Sequence, residues 1–238
     1  MSDMRKRPEK IDGVPVPYGN SVEKLREIID TNKTMRWAAI YALAAHSGAD
    51  SFPLIKSYVS SSDWCVRRAM ISALAIRQYD EGIGSIVNEA LADSSEYIVR
   101  AACKVISACG IKSARDGIAR LLDSKSDQTR IAAYEALESI WLPEDFSLMF
   151  KAFQSERSDE ARKAAAFILF NKATASEWRA LFDIWKSDPV NRHRKWACDL
   201  ACGFGSKAML SEIKTLANDV DGHVRMAATR AIDKILSD

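Results

Sequence analysis

Aligned on its arginines, the chain repeats one pattern of apolar and polar positions seven times. TMRWAAIYAL (34–43), CVRRAMISAL (65–74), IVRAACKVIS (98–107), QTRIAAYEAL (128–137), EARKAAAFIL (160–169), RHRKWACDLA (192–201) and HVRMAATRAI (223–232) superimpose on Arg36, Arg67, Arg100, Arg130, Arg162, Arg194 and Arg225. Successive arginines are 31, 33, 30, 32, 32 and 31 residues apart. In each copy apolar residues fall one before and two, three, six and seven after the arginine, which is one face of a helix with 3.6 residues per turn. In the second copy these are Val66, Ala69, Met70, Ala73 and Leu74. Upstream of each lies another amphipathic stretch: VEKLREII (22–29), FPLIKSYV (52–59), IGSIVNEAL (83–91), DGIARLL (116–122), FSLMFKAF (146–153), WRALFDIW (178–185) and MLSEIKTL (209–216). Each unit therefore predicts a helical hairpin, and a period near 32 residues predicts a stack of them.

The residues between the stretches support this division. Gly48, Gly82, Gly110 and Gly203 stand just beyond second helices, where a left-handed cap residue is wanted. Pro53, Pro143 and Pro189 occupy expected first helical positions, Asp188 is an N-cap candidate, and Thr174 with Glu177 can form a capping box. Alanines recur where helices must approach to about 8–10 Å. No strand-like alternation competes with the helical pattern. The expected fold is all-α, a right-handed α-solenoid of about seven hairpins over residues 21–238, preceded by a flexible or irregular segment over residues 1–20.

Composition changes this picture little. The chain has 238 residues, 47% of them hydrophobic and 28% charged, with a formal charge of +2. Residues 1–119 carry 16 basic and 14 acidic side chains, and residues 120–238 carry 18 of each, so neither half is a basic block. No apolar run is long enough to span a membrane, and MSDMRKRPEK leads into polar, proline-containing sequence instead of a signal-peptide core; a cytoplasmic protein is expected. The cysteines, Cys65, Cys103, Cys109, Cys198 and Cys202, form an odd set without CxxC spacing and are expected to be buried thiols.

A second helix that opens with an acid, an apolar residue, arginine and alanines, as in DWCVRRA (63–69), EYIVRAA (96–102) and DGHVRMAA (221–228), resembles the HEAT repeat, in the bacterial flavour associated with phycobilin lyases. The resemblance spans about residues 21–238. It implies that second helices line a concave inner surface and first helices the convex outside. It also implies a structural ladder between the repeated arginine and acids at the hairpin turns. Asp30, Asp63, Asp93, Glu96, Asp127, Asp159, Asp188, Asp219 and Asp221 stand three to seven residues before an arginine and also suit helix N-termini.

Positions one, four and five after each arginine are then expected to face the groove. They are Trp37, Arg68, Ala101, Ile131, Lys163, Lys195 and Met226; Ile40, Ile71, Lys104, Tyr134, Ala166, Cys198 and Thr229; and Tyr41, Ser72, Val105, Glu135, Phe167, Asp199 and Arg230. With the turn residues Trp64 and Tyr97, the N-terminal repeats present Trp37, Tyr41, Trp64, Arg68, Ile71 and Tyr97, a composition typical of interface hot spots. Trp37 and Tyr41 can equally fill space between neighbouring second helices. Tyr134 and Phe167 extend the same columns. Lys163, Arg192 and Lys195 form a second candidate patch, for an acidic peptide or a phosphate near a helix N-terminus. Trp196 falls in a core column, His193 in an apolar one, and Trp141, Trp178 and Trp185 on or beside outer helices.

Only His46, His193 and His223 are available, without HExxH or HxH spacing, and there is no P-loop, GxGxxG or GxSxG. No catalytic residue, metal or cofactor is predicted. The expected function is a non-catalytic scaffold or adaptor that holds a partner protein or peptide, possibly acidic, in the groove. Two alternatives follow from the resemblance: a nucleic-acid-binding protein of the HEAT-like DNA glycosylase type, with Asp199 and Trp37 or Trp64 as nearest candidates, or a bilin-lyase-like protein. The even charge disfavours a phosphate-tracking surface.

Overall fold

A computed structural model describes residues 7–48, 50–77 and 81–237. Seven helical hairpins follow one another along the described residues. Four lie in a first compact unit that ends at Asp145 and three in a second that begins at Phe146. The first unit contains α1 (Val22–Thr31) with α2 (Arg36–Ala44), α3 (Ser51–Val59) with α4 (Trp64–Ala73), α5 (Glu81–Ala90) with α6 (Glu96–Cys109), and α7 (Arg115–Leu121) with α8 (Asp127–Ser139). The second contains α9 (Asp145–Ser155) with α10 (Asp159–Lys172), α11 (Trp178–Trp185) with α12 (Asn191–Phe204), and α13 (Leu210–Leu216) with α14 (Gly222–Ser237). Second helices pack on second helices, α2 on α4, α4 on α6 and α6 on α8 in the first unit, α10 on α12 and α12 on α14 in the second. No described helix is long and apolar enough to cross a membrane.

Several helices start where polar side chains satisfy free backbone amides. The carboxylate of Asp63 accepts from Cys65 N at 2.8 Å, Ser126 from Thr129 N, and Asp221 from His223 N and Val224 N. Glu177 reaches back to the Thr174 amide at 3.0 Å, the reciprocal half of the expected capping box. Of the four glycines expected as C-caps, only Gly110 adopts the left-handed conformation, at φ 66°. Gly82 and Gly203 lie inside α5 and α12, and Gly48 has an ordinary φ, because these second helices end through other turns. Pro53 is within the first turn of α3, whereas Pro143 and Pro189 precede α9 and α12 by two residues.

The core follows the predicted stripe: Val66, Met70, Ala73 and Leu74 are buried, as are Ala132, Ala133, Ala136 and Leu137, while Ala69, expected with them, is half-buried. One expected groove column belongs to it too. Four positions after the arginine, Ile40, Ile71, Tyr134, Ala166 and Cys198 are all buried, and only Lys104 and Thr229 are exposed. A second helix contacts neighbouring second helices as well as its own hairpin partner, as α4 does with α2, α6 and α3, which widens its apolar arc beyond the stripe of a simple amphipathic helix. Tyr134, expected in the groove, is therefore a fully buried core residue.

The arginine ladder exists, but it runs between repeats. Arg67 donates from Nε and Nη2 to the Asp93 carboxylate at 3.0 and 3.2 Å, and Arg194 to Asp219 at 2.7 and 2.9 Å; Arg162 pairs with Asp188. Each acid lies 25 or 26 residues after its arginine, at the turn of the next hairpin. The arginine's Nη1 instead binds carbonyls of its own turn, Ser61 and Ser62 for Arg67, Ser124 and Lys125 for Arg130, Asp188 and Pro189 for Arg194, Asp219 and Val220 for Arg225. Asp93, Asp188 and Asp219 also accept the amides of Ser95, Val190 and Asp221. Glu96 does pair with the arginine that follows it, at 3.6 Å from Arg100. The extended Arg side chain spans the gap between stacked turns; of the acids nearer in sequence, Asp63 and Asp221 accept helix amides and Asp30 accepts the Tyr58 hydroxyl.

Ahead of α1 the chain forms a small antiparallel hairpin, β1 (Lys10–Ile11) and β2 (Val14–Pro15), joined by Asp12 and Gly13 at φ 49° and 80°. Two consecutive residues with positive φ make the tight turn that matches strand twist, and Asp-Gly is a preferred pair for it. Val16 is buried, and β1 packs against α2. Residues 1–6 of the expected N-terminal segment lie outside the described residues.

Candidate functional site

The first unit carries a concavity of about 470 Å³ lined by Trp37 and Tyr41 of α2, Trp64, Cys65, Arg68, Ala69 and Ser72 of α4, and Lys10, Ile11 and Asp12 of the β-hairpin. Four of the residues chosen from sequence thus converge. Trp37, Tyr41, Arg68 and Ser72 stand one or five positions after a ladder arginine, columns that are exposed or half-buried in the first two repeats; in the third, Ala101 and Val105, expected in the groove, are buried core residues. Trp64 enters from the helix start, where the Asp63 cap holds the first turn of α4.

Tyr97 completes the rim from α6. Its ring centroid is 5.3 Å from that of Trp64 with the planes tilted by 32°, and the two rings are 52% and 42% exposed, a large apolar surface left in water. Two guanidinium groups lie over Tyr97, that of Arg100 at 4.9 Å and that of Arg68 at 5.9 Å from the ring centroid. Tyr41 is half-buried; burial raises its hydroxyl above the ordinary tyrosine range, and the nearby Asp12 carboxylate adds to the effect. The phenol stays neutral and can donate. The concavity therefore offers flat aromatic surface, a neutral donor and cationic groups at one edge.

The hairpin side of this wall was not anticipated. Its signal is present in IDGV (11–14), an Asp-Gly pair between β-branched residues, but the strands are only two residues long and leave no alternation to read.

The C-terminal candidates behave differently. Lys163, Phe167 and Arg192 are exposed, with Phe167 at 52% and its ring 6.2 Å from that of Trp196. Lys195, expected to bind an anion, donates at 2.6 Å to Asp199 four residues on, and Arg230 pairs with the same carboxylate. An i,i+4 acid neutralises the amine before a ligand arrives. Behind them Trp196 is half-buried and stacks on Phe170 at 5.1 Å, while His193 is fully buried between Trp185 and Trp196, 5.7 Å from each ring. Burial pushes the imidazole of His193 below its usual range, opposed by Asp188, whose carboxylate lies 3.2 Å from Nδ1 but off the hydrogen-bond axis. Trp178 and Trp185 are core residues of α11.

The remaining chemistry is structural. Burial raises the thiols of Cys103 and Cys198 to about 12, and none of the five cysteines forms a disulfide; Cys65, Cys109 and Cys202 are half-buried. Among the described residues no three His, Cys, Asp or Glu side chains gather in a way that could hold a metal ion.

Stacked hairpins whose second helices pack on one another within each unit and whose turns are tied by an arginine ladder define an α-solenoid repeat protein. The chain belongs to the family of HEAT repeats, whose model matches residues 22–84 and 83–169. Among solved structures it is similar to an archaeal HEAT-like repeats protein from Thermococcus onnurineus NA1, with 18% identity, 92% of this chain and 98% of that chain covered and a TM-score of 0.56. It is also similar to the complex of CpcE and CpcF of phycocyanin lyase from Nostoc sp. PCC7120, at 16% identity over 96% and 92% of the two chains with a TM-score of 0.53. An engineered protein matches at 17% identity over 90% of this chain and 68% of that one, with a TM-score of 0.55. No curated protein matches the chain significantly in sequence. Identities this low establish a shared fold.

Proposed function

We propose that the protein is a non-catalytic scaffold that recognises a partner protein through the N-terminal concavity. One observation carries this reading: Trp64 and Tyr97 are stacked on each other yet largely exposed, on a wall where every other large apolar side chain of α4 and α6 is buried or half-buried. Rigid aromatics with an adjacent arginine supply much of the energy of protein interfaces because they bury large area while losing few rotamers. The fold contributes rigidity: the wall is built on helices tied by Arg67 and Asp93, so the site is preformed.

Affinity capture from nuclease-treated lysate, comparing wild type with a Trp64→Ala/Arg68→Glu variant by quantitative mass spectrometry, tests the reading. A protein enriched by wild type and lost with the variant supports it, provided the two melt alike. Equal captures by both refute the site. Retention of duplex DNA with an affinity that falls steeply and log-linearly with salt would instead favour a nucleic-acid surface.

A further inference from the structure

Resting on the protein-recognition reading just given, we infer that the occupant of the concavity is an acidic peptide segment of a partner protein, with a carboxylate that pairs with Arg68 and a neighbouring apolar or aromatic side chain that packs on Trp64 and Tyr97. Four arginines lie near the concavity, and they differ in what their donors already hold. Arg36 donates from Nε to Ile29 O at 2.8 Å, Arg67 is committed to Asp93 and to two carbonyls of its own turn, and Arg100 has Glu96 at 3.6 Å. Arg68 is exposed and forms no hydrogen bond or ion pair with any described residue; its contact is the face of Tyr97. Stacking on a ring directs the planar guanidinium while leaving its edge, with its five donors, free for an acceptor. A carboxylate is the matching group, through two parallel N–H···O bonds.

The rest of the lining sets the charge of that acceptor. Lys10 and Arg68 are the cations and Asp12 the anion of the concavity, a net of one positive charge. A singly charged carboxylate neutralises it. A phosphate dianion would exceed it beside Asp12, and a nucleic-acid backbone needs several free cations where this wall has a single uncommitted guanidinium. The apolar part of the occupant follows from the exposed, mutually tilted rings of Trp64 and Tyr97.

Panning a random peptide library displayed on phage against the immobilised full-length protein provides the probe. An enriched sequence is then made as a labelled synthetic peptide, as its Glu-to-Gln or Asp-to-Asn twin, and as a phosphoserine twin, and each is titrated by fluorescence anisotropy. The expected result is enrichment of Asp or Glu next to an aromatic or aliphatic residue. The amide twin, and the Arg68→Gln and Arg68→Glu proteins, should each bind roughly ten- to a hundredfold more weakly, as loss of a charge-assisted pair implies. Arg68→Glu should also shift enrichment toward Lys and Arg. Peptides that bind in the concavity, as shown by loss with Trp64→Ala, but have no acidic bias or no sensitivity to Arg68 overturn the inference and leave the recognition reading intact. Tighter binding of the phosphoserine twin overturns the carboxylate assignment. Enrichment of nothing, or binding indifferent to Trp64→Ala, overturns both.

Discussion

Replacing Asp93 with alanine tests the arginine ladder at its best-defined rung. Asp93 accepts two guanidinium hydrogen bonds from Arg67, at 3.0 and 3.2 Å, and the Ser95 amide at 2.8 Å ahead of α6; both side chains of the pair are 15% exposed. Hydrogen bonds to charged groups contribute about 1.5–3 kcal/mol each and a capping acceptor about 1 kcal/mol. The full sum would overstate the loss, because Arg67 retains the carbonyls of Ser61 and Ser62 and remains partly hydrated. A destabilisation of about 3 kcal/mol is expected, below the upper end for breaking a fully buried pair. Asp93→Asn keeps an acceptor for Ser95 and should lose less, about 2 kcal/mol. The assay is urea unfolding followed by far-UV circular dichroism for wild type, Asp93→Ala, Arg67→Ala and the double variant. The coupling energy of that cycle should be about 1.5–3 kcal/mol. A coupling under about 0.5 kcal/mol would refute the claim that the pair joins consecutive hairpins, and separate transitions for different probes would show that the array unfolds in parts.

Core and surface should respond to different degrees. Leu137→Ala, at a fully buried position, is expected to cost about 2–5 kcal/mol, whereas Trp64→Ala should cost only about 1 kcal/mol, mostly its contact with Tyr97; thermal melts compare them. Gly110→Ala should destabilise by about 1 kcal/mol through its left-handed backbone, although no atom obstructs a Cβ there, while Gly203→Ala inside α12 should stabilise by about 0.5–1 kcal/mol. The folded protein holds the imidazole of His193 below its ordinary range, so the unfolded chain protonates first as pH falls through about 6.5, and the stability present above that range declines. The decline is at most about 1.4 kcal/mol per pH unit and should disappear from urea titrations between about pH 7 and about pH 5 in His193→Phe. Asp188, whose carboxylate is held below its usual range by the Val190 amide, Arg162 and His193 against the cost of burial, adds its own loss at lower pH, as the pH falls through its folded value. A slope unchanged by His193→Phe would contradict the assignment.

The hairpins were legible because their information is local. A stripe at one before and two, three, six and seven after each arginine selects a helix whatever lies beside it, and the period near 32 residues requires neighbours of the same kind. Trp37, Tyr41, Trp64 and Arg68 could be placed together for the same reason, since consecutive copies stack in register. The tertiary structure decided what depends on the next element in space. It buried Tyr134, like Ile40, Ile71, Ala166 and Cys198 of its column, because second helices pack against one another as well as against their hairpin partners. It gave Arg67, Arg162 and Arg194 carboxylates 25 or 26 residues downstream instead of those nearby, because a side chain reaches across stacked turns regardless of sequence distance. It tied Lys195 to Asp199 and left Arg68 free, a distinction set by which acid stands one turn away. It also placed the Asp12–Gly13 hairpin against α2, where two-residue strands without a periodic signature gain their stability from the helix they cover.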